Sequence, residues 1–500
     1  MIAPSSGDGV VASHPTSREA AILMPRRRDT YYLLSLGCAK NTVDSESMIA
    51  LLDGAGLRST ASPEHANVLI VNTCGFIVPA REESIGALRE LAAGKRPGQL
   101  LIAAGCLAQR GGHELARQVP GLDGVIGTRR WMDIVDVVRR LRAEVHPQPL
   151  YHLPDEARTV GLDERGVSRV AMQGASAYLK IADGCRRPCA FCTIPAIKGT
   201  AVSRPAERIV SEARALRDRG VQELILIAQD TTDYGHDLGL SDGLAGLLQE
   251  IVATVPDLPW LRVMYAYPGC VSDRLIATMA AHPQILPYLD IPLQHADPRT
   301  LRRMRRPANV DWVRSTVARM RAALPDLAIR TTFIVGYPGE TDDEFETLLR
   351  FVEEMRFDRV GCFPYSFEPG TPSASLPDQV DEDVKSARRD LLMSVQQPIS
   401  LARNQAFVGQ TLDVLVEGKA EATTEDGTPT GQMITLARSY RDAPEIDGYV
   451  LVEGELAQGE IVPVRVTGAL VYDLIASPDL APHQVIAPGT VLKPGNERPG

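Results

Sequence analysis

The sequence predicts an α/β protein in three parts: a small parallel α/β domain, a central partial (β/α)6 barrel and a small antiparallel β-barrel. Between residues 30 and 145, strand-sized apolar runs (31–37, 67–73, 99–105 and 124–127) alternate with helix-like stretches such as 79–91, at the spacing of βαβ units. From 171 to 403 the alternation resumes on a larger scale. Candidate strands at 176–183, 223–230, 262–267, 288–293, 329–336 and 359–365 are each followed by a helical pattern, as in an open barrel whose site lies at the carboxyl ends of its strands. From 404 to 480 the helical period disappears, and the runs 411–418, 431–438, 449–456 and 460–475 between Gly- and Asp-rich turns read as a small β-barrel.

The remaining segments read as connections. Residues 1–29 form a flexible extension rich in Ala, Ser, Gly and Pro, in which the one short apolar patch precedes Arg26, Arg27 and Arg28; a secretory signal has the opposite order. Residues 146–170, with Pro147, Pro149 and Pro154, read as a linker, and 481–500 as a C-terminal tail. Of the 500 residues, 44% are hydrophobic and 23% charged, which excludes a disordered or collagen-like chain. No apolar run reaches the roughly 18 residues of a membrane span, so no membrane association is expected. Eight cysteines without an export signal point to the reducing cytoplasm, where thiols serve metals or catalysis more often than disulfides.

The sharpest motif is Cys185-Arg-Arg-Pro-Cys189-Ala-Phe191-Cys192, on the loop after the first barrel strand. Three thiolates on one tight loop can hold three irons of a 4Fe–4S cube and leave the fourth open to a small molecule. Zinc is the alternative, but it favours four N/S ligands in closed structural sites, and the local sequence offers no fourth. In the first domain Cys38, Cys74 and Cys106 each follow directly on a predicted strand, beside Gly37, Gly75 and Gly105. The carboxyl ends of parallel strands gather at one sheet edge, so these three thiols can converge on a second cluster although 36 and 32 residues separate them. Three independently buried cysteines are the plainer reading. Cys270 and Cys362, without partner spacing, read as ordinary packed thiols.

The C-x3-C-x2-C loop, with Phe191 before its last cysteine, resembles the radical S-adenosylmethionine (SAM) superfamily. That resemblance implies that the open iron chelates SAM and that reduction releases a 5′-deoxyadenosyl radical. It also implies SAM contacts from Phe191 on the cysteine loop and, at the barrel strand ends, from Gln229, Asp230, Gln294 and Arg330; each of these four equally reads as a polar group with a supporting role, and His295 receives no role. The three-part plan is similar to the methylthiotransferases: an N-terminal methylthiotransferase domain (30–145) with an auxiliary cluster, a radical SAM core (171–403) and a TRAM domain (404–480). The segments GCAKNTVDSE, ILIAQDTTDYG, DIPLQHAD, RTTFIVGYPGET and RSYRDAPEIDG resemble the branch that modifies ribosomal protein uS12. For that branch the resemblance implies methylthiolation of an aspartate β-carbon of uS12, free or in the small subunit. SAM serves as both methyl donor and radical source, two 4Fe–4S clusters are used, and a flavodoxin- or ferredoxin-like donor supplies electrons. One departure stands out: relatives often carry Arg-Gly where this chain has Lys198-Gly199, so a planar, two-pronged contact there is in doubt.

Charge bears on the substrate separately. The net charge is −10, and residues 404–480 hold four basic and thirteen acidic side chains, nearly all of that excess. An acidic barrel repels a phosphate backbone and attracts a basic ribosomal protein, so tRNA is disfavoured. A solvated acidic face that aids solubility is the bland alternative. Two other functions remain open at this stage: a tRNA adenosine (MiaB-like) methylthiotransferase, and a non-catalytic iron–sulfur or zinc adaptor.

Overall fold

The computed structural model describes residues 29–143, 148–154, 165–423 and 429–479. Apart from Asp29, the extension expected over 1–29 lies outside the described residues, as do the middle of the linker and the 481–500 tail.

The first domain is a six-stranded, fully parallel sheet: β1 (Thr30–Ser35), β2 (Arg58–Ser59), β3 (Val68–Thr73), β4 (Leu100–Gly105), β5 (Gly124–Gly127) and β6 (Leu150–His152), in the order β2-β1-β3-β4-β5-β6. Every residue of β3 is buried, as expected for a central strand covered on both faces. Helices α1 (Ala39–Gly54), α2 (Val78–Ala93) and α3 (Cys106–Gln118) follow β1, β3 and β4. The last strand corrects the linker expected over 146–170. Leu150 pairs with Gly124 and is buried with Trp131 and Leu141, so the sheet extends one strand into that segment. Three residues behind two prolines carry too little alternation to announce a strand.

The central sheet runs β15-β14-β13-β12-β11-β8-β7 and does not close. Its six parallel strands are β8 (Ser176–Lys180), β11 (Glu223–Ile227), β12 (Trp260–Val263), β13 (Ile285–Asp290), β14 (Ala328–Val335) and β15 (Arg359–Pro364), matching the six expected. β7 (Val170–Gln173), from the end of the expected linker, adds an antiparallel edge. A short antiparallel pair, β9 (Ala182–Asp183) and β10 (Val202–Ser203), brackets the Cys185–Cys192 loop. Alternate residues point outward beneath the helices, as Leu179, Leu226 and Leu289 do. The inward-facing Tyr178, Ile225, Ile227, Met264 and Tyr288 form a separate cluster. That inner cluster is completed from outside the barrel, by Ala39 and Val43 of α1 and by Leu415 and Ala443 of the C-terminal domain. The inner core of the open barrel is therefore shared with both neighbouring domains.

The C-terminal domain is a closed five-stranded barrel of β16 (Thr411–Thr423), β17 (Pro429–Ser439), β18 (Val450–Glu453), β19 (Ile461–Ala469) and β20 (Leu474–Pro478), in the order β16-β17-β18-β20-β19. Two details correct the expected antiparallel barrel. The run 460–475 contains two strands, which turn at 470–473, and closure pairs β18 with β20 in parallel. Among the described residues no helix is long and apolar enough to cross a membrane.

Candidate active site

β1, β3 and β4 are adjacent and parallel, so their carboxyl ends emerge side by side, about 4.8 Å apart per strand. Cys38 lies in the turn after β1, Cys74 follows β3, and Cys106 opens α3 directly after β4. Two glycines make this crowding possible. Gly37 has φ +96°, and a Cβ there would stand 2.8 Å from the Cys74 Cβ. Gly105 has φ +94°, and a Cβ there would stand 2.3 Å from Asn72 Oδ1. Only glycine tolerates both the left-handed backbone and the approach. Asn41 braces the same edge. Its amide donates to Leu36 O at 2.7 Å, while Asn72 donates to Asn41 O at 3.0 Å.

Opposite this edge lies the cysteine loop of the barrel. The Cys185 amide donates to Gly199 O (3.1 Å) and the Cys192 amide to Cys189 O (3.1 Å), folding the loop back on itself. Backbone N–H groups of Arg187 and Ile194 donate to the sulfurs of Cys185 and Cys192, both at 3.5 Å. All six cysteines line one cavity of about 440 Å³, between the first domain and the carboxyl ends of the barrel strands. None of the eight thiols is in a disulfide; Cys270 and Cys362 do not line the cavity.

Burial pushes the thiols of Cys106 and Cys192 up to about 12 and that of Cys185 up to about 11, and it also raises Cys74. A low-polarity wall of this kind favours neutral thiols until a cation arrives to take the thiolates. Among the described residues, no three Cys, His, Asp or Glu side chains converge as they would on a single metal ion. A cube instead presents a separate iron to each thiolate, so its ligands stand farther apart. Further signs point to an occupant. Asn41 Oδ1, Gln229 Oε1 and Arg306 Nε, on three cavity-lining residues, are buried with no hydrogen-bond partner. Buried polar atoms are normally satisfied, so these are groups that a ligand can meet.

Of the residues expected to contact SAM, Phe191 of the cysteine loop and the strand-end Gln229, Asp230 and Gln294 line the cavity, and Arg330 does not. Arg330 is held by the buried carboxylates of Asp290 (3.0 Å) and Asp447 (3.5 Å). His295 is buried too, its Nδ1 accepting from the Asp297 amide at 2.9 Å. Gln294 (φ 74°) and Tyr265 (φ 64°) adopt the left-handed backbone conformation, and such strain gathers at functional sites. Sequence reasoning missed Lys40, Arg187, Tyr265, Tyr267 and Arg306, all in the cavity wall. Position inside the cysteine loop was a signal for Arg187, whose Nε donates to Asp230 at 2.6 Å. Arg306 carried none; it meets Arg187 only in space, both guanidiniums lying 4.3 Å from the Tyr267 ring.

Beneath the cavity lies a buried charge cluster. Lys198 reaches Asp44 at 2.8 Å and Asp183 at 3.2 Å. Arg169 and Lys180 contact the same two carboxylates, at 2.5–3.1 Å, and all five side chains are at most 3% exposed. Burial alone would lower the Lys198 ammonium, but Asp183 and Asp44 overcome it and keep the charge. Lys180 loses that contest, lowered by burial to about 8. Because Asp44 belongs to α1 and its partners to the barrel and the segment leading into it, the cluster pins the two domains together at the cavity.

Comparison with known proteins agrees with this architecture. The chain matches the description "Uncharacterized protein family UPF0004" over residues 30–127, the radical SAM superfamily over 179–352 and the TRAM domain over 408–478. It is 52% identical over 454 residues to the ribosomal protein uS12 methylthiotransferase RimO of Chloroflexus aurantiacus, spanning 89% of this chain and 98% of that protein. The protein of the same name from Roseiflexus sp. (strain RS-1) is 50% identical, with 89% and 96% covered, and that from Anaeromyxobacter sp. (strain K) is 46% identical, with 89% and 92% covered. Among solved structures, the radical S-adenosylmethionine methyltransferase TsrM from Kitasatospora setae superposes with a TM-score of 0.52 at 13% identity, covering 81% of this chain and 80% of that one. At that identity the likeness is one of fold.

Proposed function

The chain belongs to the RimO family of ribosomal protein uS12 methylthiotransferases, and on that premise we propose that it places a methylthio group on the β-carbon of an aspartate in uS12. It is a radical SAM enzyme, with a 4Fe–4S cluster and SAM as cofactors. The proposal extends this to two clusters, one held by Cys185, Cys189 and Cys192 and the other by Cys38, Cys74 and Cys106. The observation that carries it is that both trios line one cavity. When bound, the first cluster with SAM supplies the radical that removes a hydrogen atom, and the second supplies the sulfur to be transferred. The protein's part is placement. Two incomplete thiol sets facing a common space keep radical, sulfur donor and substrate carbon within one enclosure. Phe191 packs the floor against Met304, Tyr337 and Tyr365, and Phe76, Ile77 and Ala80 give the wall an apolar flank. Gln229 is oriented by its amide donating to Asp183 (3.2 Å), which leaves Oε1 for a ligand donor.

The C-terminal barrel supports a basic protein partner. Its described surface exposes Asp413, Glu421, Glu445, Glu453, Glu455, Glu460 and Asp479 against Lys419 and Arg465. The other two arginines of the domain, Arg438 and Arg441, are each 1% exposed. A ribosomal protein is attracted to such a face, and the phosphates of tRNA are repelled. A uS12 substrate places the reaction in the cytoplasm, with a flavodoxin- or ferredoxin-like protein as electron donor.

The test is anaerobic reconstitution with iron and sulfide, then reaction with SAM, a reductant and a peptide of the uS12 loop. Mass spectrometry is expected to find a methylthio group on the aspartate and about eight irons per chain. Modification of tRNA but not of the peptide would favour the adenosine reading, and about four irons would remove the second cluster.

A further inference from the structure

Four cations line the cavity: Lys40, Arg187, Lys198 and Arg306. Three are engaged by the protein. Arg187 is paired with Asp230 (2.6 Å) and Asp233 (3.3 Å), and Lys198 with Asp44 and Asp183. Arg306 donates to the Pro292 carbonyl and, at 3.6 Å, to Cys189 Sγ. Lys40 differs. Its Nζ lies 3.1 Å from the centroid of the Tyr265 ring, and among the described residues it has neither a hydrogen-bond partner nor a carboxylate within salt-bridge distance. An aromatic face steadies an ammonium without neutralising it. Tyr265 holds its ring there from a left-handed backbone, its carbonyl fixed by the Thr231 amide at 3.0 Å. The Lys40 side chain is thus available to a ligand, held against the Tyr265 ring in the wall of the cavity that the six cysteines line.

From this juxtaposition we infer that Lys40, on its Tyr265 platform, is the receptor for a carboxylate of the protein substrate, and that it fixes which carbon reacts. The inference rests on the functional reading above and deepens it. In aspartate the β-carbon is bonded directly to the side-chain carboxylate carbon. An ammonium that grips this carboxylate through a charge-assisted hydrogen bond of about 2.8 Å holds the β-carbon within about 4–5 Å of Nζ. That position is inside the enclosure. A substrate without a carboxylate leaves Lys40 unpaired, so the same residue selects an acidic side chain over a nucleobase. Lys40 positions substrate and takes no part in bond making.

SAM also carries a carboxylate, and the experiment separates the two sources. Binding of the uS12 loop peptide to iron-loaded, anaerobic enzyme is measured by fluorescence anisotropy, with the target residue as aspartate and as asparagine; SAM binding is measured by equilibrium dialysis. The wild type is expected to prefer the aspartate peptide by about ten- to a hundredfold, the scale of one hydrogen bond to a charged group. Lys40→Met is expected to bind both peptides alike, and Lys40→Arg to recover part of the preference, with unchanged iron content certifying the fold of each. An aspartate preference that survives in Lys40→Met overturns the inference, as does equal binding of the two peptides by the wild type. A loss confined to SAM binding overturns it as well, by assigning Lys40 to the cofactor. A wild type that shows the preference but leaves the peptide unmodified counts against the functional reading and not against Lys40.

Discussion

Of the buried charge clusters that fasten the barrel to its neighbours, two differ instructively in their balance. On the cavity side, among the described residues, Asp44 and Asp183 face Lys180, Lys198 and Arg169, three cations on two carboxylates. At the C-terminal domain, Glu223 takes Arg262 and Arg438, both at 2.7 Å, Arg438 also reaches Glu417, and Arg359 pairs with Asp442 at 2.5 Å. There the charges cancel. Buried ion pairs add little net stability because desolvation offsets attraction, so neither cluster explains why the protein folds. The balanced one registers a domain; within it, Arg262 donates to Tyr440 O (2.8 Å) and Arg438 to Asp442 O (2.9 Å). The unbalanced one also registers a domain, but it leaves positive charge beside Cys106, where Lys198 opposes the upward push of burial on the thiol. The difference between the two is thus one cation, placed where its charge acts on a cavity thiol.

The contrast is broken most completely at the cavity. Cys185→Ala is expected to abolish SAM cleavage, measured as 5′-deoxyadenosine, while about four of eight irons remain on the first domain. Loss of all the iron would mean that the trios do not form separate sites. Next comes Asp44→Ala, which leaves three cations with one carboxylate. Stability is expected to fall by about 3–5 kcal/mol in denaturant unfolding, and the iron retained by the first domain should fall with it. Glu223→Gln is the matched cut at the balanced cluster. Burial alone would raise the Glu223 carboxyl, but Arg262 and Arg438 draw it down from 4.5 to about 2. Its stabilisation, about 3 kcal/mol at 1.36 kcal/mol per pH unit, is therefore complete above pH 4.5 and lost as pH falls through about 2. Acid unfolding curves of wild type and Glu223→Gln should converge over that window, and iron content above it should match.

Much of this was legible in the sequence, for a definite reason. The six cysteines follow strands, and adjacency of parallel strands turns a one-dimensional pattern into a shared edge, so the sequence alone brings Cys38, Cys74 and Cys106 together. The barrel strands were legible because their apolar runs are long. What escaped depends on surfaces that meet only after folding. Lys40 and Val43 share one helix, yet only the docking of α1 on the barrel brings the first to Tyr265 and the second into the inner core. Arg330 occupies a strand position that resembles a SAM contact, and the two acids that claim it, Asp290 and Asp447, come from different domains. RSYRDAPEIDG resembles a family segment, but its sequence alone discloses no role. Folded, its Arg438, Asp442 and Asp447 reach Glu223, Arg359 and Tyr288 of the barrel.

The finest test concerns Lys198, where the family resemblance implies an arginine. A lysine is a compact point charge, and here one ammonium spans two carboxylates, 2.8 Å from Asp44 and 3.2 Å from Asp183. A guanidinium would keep the charge and spread it across a planar fork, at the cost of extra volume in a site 2% exposed. That volume has somewhere to go, because Lys198 lines the cavity. Lys198→Arg is therefore expected to change stability by less than about 1.5 kcal/mol, within the range of tolerated core swaps, and to retain both clusters. Lys198→Met is the informative partner. It makes the cavity-side cluster as balanced as the C-terminal one, two cations on two carboxylates, and should leave the fold intact. If the extra cation serves the thiolate of Cys106, Lys198→Met should weaken iron retention in the first domain under chelator challenge while Lys198→Arg does not. Equal retention in the two variants would reduce Lys198 to a fastener and erase the distinction between the clusters.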